Sequence, residues 1–98
     1  MADKIKLSAS DARAAVTKIK GKATEAQNTV NQLQRDIKAV ESWWEGDSAV
    51  AFVSEFEKSK KEFDKMIESI NKYGDLLTKA IEIQQKADAD IAAQMRQG

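Results

Sequence analysis

Ser42-Trp43-Trp44-Glu45-Gly46-Asp47-Ser48 decides the fold, because it interrupts two long runs of helix-patterned sequence. Gly46 can adopt the left-handed backbone that ends a helix, and Asp47 or Ser48 can accept from the first free amides of the next one. The stretch therefore reads as a turn. Upstream, small or apolar residues fall at Ala12, Val16, Ile19, Ala23, Ala26, Val30, Leu33, Ile37, Val40 and Trp44, with spacings that alternate four and three. A heptad seam of this kind keeps one stripe turned towards a neighbouring helix. Ser8 followed by Asp11 supplies a capping signature at its start.

Downstream, a second seam runs Ala49, Phe52, Phe56, Ser59, Phe63, Met66, Ile70, Tyr73, Leu77, Ala80, Gln84, Ala87, Ile91 and Met95 or its neighbour Gln94. Further apolar residues flank it, with Val53, Ile67 and Ile81 on one side and Leu76 and Ile83 on the other. One partner helix cannot cover so broad a stripe, which is the pattern of a helix packed against at least two neighbours. The chain supplies two helices, so the sequence predicts an all-α, antiparallel two-helix hairpin that dimerises into a four-helix bundle. The expected boundaries within a single domain, 1–98, are helix 1 over about 8–43, a turn at 44–47 and helix 2 over about 48–93, with flexible termini. Val30, Leu33, Ile37, Phe52, Phe56, Phe63, Ile70 and Leu77 are the expected core and dimer residues.

Composition excludes much chemistry. With no Cys and no His among 98 residues, thiolate and imidazole nucleophiles, His general bases and the usual zinc sites are unavailable. Asp88 and Asp90 lie two apart, on different faces of a helix, and cannot flank one bond as a paired-carboxylate hydrolase requires. The chain is therefore read as a non-enzyme without cofactor or metal. The 8 basic and 5 acidic residues before Trp43 give +3, and the 8 basic and 11 acidic residues from Trp43 onward give −3. Arms of opposite sign attract weakly. Overall neutrality argues against nucleic acid, and the lysines at 58, 60 and 61 sit among Glu55, Glu57, Glu62 and Asp64 as a solvated face.

The start, Met1 to Leu7, is polar and lysine-bearing and lacks the apolar stretch of a cleavable signal peptide. The longest apolar run, Ala49 to Val53, is far short of the roughly 20 residues needed to span a bilayer. A small domain buries only about 60 to 65% of its unfolded surface. With no disulfide to brace it, a partner chain is the expected source of further stability.

Trp44-Glu45-Gly46 is a Trp-x-Gly tripeptide near the middle of a chain of about a hundred residues, between two long amphipathic helices. In length, layout and motif position the chain resembles the WXG hundred-residue, ESAT-6-like family. That resemblance implies a helical hairpin exported by a type VII secretion system. The end of the chain also resembles single-gene members from Firmicutes. These carry a hydrophobic residue, an acidic residue four later, a hydrophobic residue three later and another four after that. Asp88, Ile91 and Met95 match, and Gln84 stands at the first position. The mycobacterial form, Tyr followed four later by an acidic residue, is absent, because Tyr73 is followed at that spacing by Leu77.

By resemblance, Trp44 and Gly46 form the secretion and turn motif, and Asp88, Ile91 and Met95 are export-signal candidates. The implied partners are a second copy, or a related protein in a heterodimer, and the type VII secretion ATPase. The implied location is outside the cell after synthesis in the cytoplasm. Two alternatives carry different function classes. One is an intracellular helical adaptor or chaperone dimer for a larger effector. The other is a membrane-active factor using Trp43 and Trp44, which burial of the apolar stripes in a bundle disfavours.

Overall fold

The structure, a computed structural model, describes residues 7–97. Up to Lys6, the segment read for a signal peptide lies outside the described residues. Ser8 caps α1 (Ala9–Ala39), its hydroxyl accepting from the Asp11 amide at 3.3 Å while Asp11 places a negative charge in the positive first turn. A short 3₁₀ turn, Val40–Ser42, follows, and then α2 (Asp47–Gln97). At 31 and 51 residues, the two helices are about 46 and 76 Å long at 1.5 Å per residue. The molecule is a rod of 79 × 23 × 18 Å.

Cross-helix contacts fix the direction of packing. Lys20 pairs with Asp75, Gln34 donates to Glu57 at 3.3 Å, and Ala23 and Val30 cluster with Ile67. Later residues of α1 thus meet earlier residues of α2, as an antiparallel hairpin requires. The all-α hairpin read from the sequence is the observed fold.

Ala12, Ala23, Val30, Ala49, Phe56, Ile67 and Ile81 are buried, and Ala26, Phe63 and Ile70 pack half-buried against the central cluster. Three of these seven apolar residues are alanines, and Gly74 is buried beside them, which lets the helices approach closely but leaves little apolar volume between them. The α1 stripe faces inward along most of its length, with Leu33 at its edge, 39% exposed.

On α2 the inward seam differs from the one read above. Ala49, Phe56, Phe63, Ile70, Leu77 and Gln84 recur every seventh residue and are buried or half-buried. The positions between them that face α1 are Val53, Lys60, Ile67, Gly74 and Ile81, each four residues on. The positions three residues on, Phe52, Ser59, Met66, Tyr73 and Ala80, are exposed. Both ladders satisfy a heptad, because residues at i+3 and i+4 lie on either side of the same stripe. One long helix thus carries two seams sharing an edge, and α1 occupies only one of them.

Candidate functional site: the Trp-x-Gly turn and the open face of the second helix

The turn is built from backbone accounting. As α1 ends, the Trp43 and Trp44 amides both donate to the Val40 carbonyl, at 3.1 and 2.9 Å, and the Ser42 hydroxyl donates to the Ala39 carbonyl at 2.8 Å. Gly46 has φ +107°, the only positive φ among the described residues. Its carbonyl accepts from Ala49 and Val50, at 3.1 and 3.3 Å, and so begins α2. Gly46 therefore serves the start of the second helix, while a 3₁₀ turn closes the first. Asp47 then contributes its charge to the first turn of α2. An added Cβ at Gly46 would meet nothing within 4 Å, so backbone conformation, not crowding, demands glycine here.

Trp44 is half-buried at this end of the rod, its ring 5.4 Å from Phe52 and 6.4 Å from Trp43 between centroids. Trp43 stands 73% exposed. The three rings form a short staircase from solvent to the second turn of α2. Tilted and offset aromatic pairs of this kind add about 0.5 to 1.5 kcal/mol beyond area burial.

From Phe52 the exposed ladder climbs α2 through Met66, Tyr73, Leu76 and Ile83 to Ile91, with exposures of 40 to 66%. Ser59 and Ala80 occupy the rungs between them, and a row of large apolar side chains left exposed along one helix face marks an interaction surface. Of the residues expected in the core or dimer seam, Val30 and Phe56 are buried, and Ile37, Phe63, Ile70 and Leu77 are half-buried. Leu33 and Phe52 lie at its exposed edges.

Beyond Ile81 no described residue is buried. Gln84 donates to Asp88 at 3.1 Å one turn on, and Ile91 and Met95 are 56 and 77% exposed. A single chain does not bring the two sequence-read sites together: Gly46 and Asp88 are roughly 60 Å apart along α2. Among the described residues no cluster of His, Cys, Asp or Glu could hold a metal ion, and no helix is long and apolar enough to cross a membrane.

An all-helical hairpin of about a hundred residues, with Trp and Gly two apart at its bend, defines a class of small proteins by shape and motif together. The chain belongs to the WXG100 family, described as proteins of 100 residues with WXG, whose family profile matches residues 4–89. It is 31% identical over 96 residues to the protein YukE of Bacillus subtilis, covering 98% of this chain and 99% of that one. Among solved structures it is similar to EsxA of Geobacillus thermodenitrificans, with a TM-score of 0.76 and 23% identity. That likeness covers 92% of this chain and 99% of that one. A similar match, TM-score 0.77 and 25% identity, is to ESXB of Bacillus anthracis, described as a secreted protein, over 89% of this chain and 99% of that one.

Proposed function

We propose that this chain is a small secreted substrate and interaction protein of a type VII secretion system, exported as a folded homodimer in which two hairpins form a four-helix bundle. The observation that carries the reading is the second, unoccupied ladder on α2. It runs from Phe52 beside the turn to Ile91 near the far end, so a second copy laid antiparallel presents the same ladder in the reverse sense. An isologous interface needs such a self-matching surface. The similarity to a Bacillus anthracis protein described as secreted supports export.

In that pair the turn of one copy, with Trp44 and Gly46, lies beside the Asp88–Met95 segment of its partner. Two elements roughly 60 Å apart in one chain become one surface at each end of the bundle. The type VII secretion ATPase reads that surface, and no catalytic step belongs to the chain itself.

The test is the amount of this protein in culture supernatant of cells with and without the type VII ATPase, alongside a variant truncated before Asp88. Loss from the medium in both, with the cytosolic pool intact, supports the proposal. Retention of the intact protein inside wild-type cells contradicts it and turns the reading to an intracellular helical adaptor.

A further inference from the structure

The chain contains no Cys, so its oxidisable sulfurs are thioethers. Met66 lies towards the middle of the exposed ladder, between Phe52 and Tyr73, and is 53% exposed. Its neighbours in sequence, Ile67 and Phe63, turn inward to the cluster of Ala23 and Val30. Met66 therefore contributes to the outer seam while the hairpin core is built without it. A thioether suits that place, being apolar, unbranched and able to conform to whatever packs on it.

We infer that Met66 is a redox-sensitive modification site, at which a peroxide oxidant converts the thioether to the sulfoxide and thereby opposes pairing of two copies. The inference rests on the homodimer reading above. The step is a two-electron oxidation. The Met66 sulfur attacks one peroxide oxygen, an S–O bond forms as the O–O bond breaks, and the departing hydroxide takes the proton that the transferred oxygen gives up, leaving the sulfoxide and water. Sulfur is oxidised and the peroxide reduced. The product carries a strong acceptor on a face whose adjoining rungs are Ser59 and Tyr73, and burying a polar group that finds no partner in the seam weakens an equilibrium roughly ten- to hundredfold.

Symmetry amplifies the effect, because an isologous pair contains the residue twice. Each copy brings one sulfoxide, so the dimer dissociation constant rises by about a hundredfold or more when both are modified. Pairing also shields the sulfur. Oxidant reaches Met66 in the dissociated chain and is kept from it in the pair, so the modification captures free copies and keeps them apart.

The experiment is sedimentation equilibrium of the full chain before and after hydrogen peroxide, with Met66 sulfoxide measured by peptide mass spectrometry and helix content by circular dichroism. Met66→Leu is run in parallel and reads any contribution from Met1 and Met95. The expected result is a dimer that becomes a helical monomer on oxidation, a Met66→Leu dimer that resists treatment, and slower Met66 oxidation at higher protein concentration. A native chain that is dimeric and stays so with Met66 fully oxidised overturns the inference while leaving the homodimer standing. Equal loss of pairing in Met66→Leu also overturns it. A native chain that is monomeric before treatment overturns both this inference and the homodimer reading.

Discussion

Lys20 Nζ stands 2.6 Å from Asp75 Oδ1, and its aliphatic stem lies across Gly74, where an added Cβ would come within 3.0 Å of Lys20 Cγ and Cε. One side chain thus joins the helices by charge at its tip and by contact along its length. The two pairing groups are 46 and 68% exposed, and at such exposure an ion pair contributes about 0.2 to 1 kcal/mol after solvent screening.

Gly21→Ala should gain close to the full helix-propensity difference of about 1 kcal/mol, since its Cβ meets nothing within 4 Å. Gly74→Ala should gain less, because the Lys20 stem must move aside first. In a Lys20→Ala background the gain at 74 should approach that at 21. Urea unfolding of the four variants at one protein concentration checks this. Equal gains at 74 in both backgrounds contradict the contact.

Phe56 is 8% exposed, with its ring 6.5 Å from that of Phe63. Phe56→Ala should cost about 3 to 5 kcal/mol, a large share of the stability of so small a domain. Phe52→Ala removes a ring that is 40% exposed and touches Trp44. It should spare most of the hairpin's helicity and act on pairing instead. Thermal melts followed by circular dichroism distinguish the two, and similar losses in both would show that the inward and outward ladders are not separate.

Gly46→Ala places an L side chain at φ +107° with no steric neighbour to blame. Backbone strain alone should therefore cost about 1 to 3 kcal/mol. Denaturant titration measures it, and a neutral result would mean that the turn rebuilds itself around a different residue.

Much of this architecture is legible in the residues. Ser8 announces the start of α1 because its hydroxyl is chemically suited to the Asp11 amide, and the bend is marked by Gly46 and the polar residues after it. The partition of α2 between its two seams is not legible. Counting apolar residues favours Phe52, Met66 and Tyr73 over Val53, Lys60 and Gly74, yet the second set faces α1. A bare glycine and the half-buried Lys60, which pairs with Asp64 at 2.9 Å, are poor seam residues by type. Gly74 serves because the aliphatic stem of Lys20 lies across it, and Lys60 because its ammonium is held by Asp64 one turn on. The tripeptide at 44–46 marks the family plainly, whereas the contribution of Trp43 to the ring stack depends on the conformation of the bend.

The central claim is that the outer ladder of α2 holds a second copy of the chain, and the most direct measurement is the solution mass of the full chain beside Tyr73→Glu. Tyr73 is 66% exposed in the hairpin, so a glutamate there leaves the fold of one copy intact and places a charge within the ladder. Light scattering should give about twice the 10.9 kDa chain mass for the native protein and a helical monomer for the variant. A native protein that scatters as a single, stably folded chain would contradict the claim.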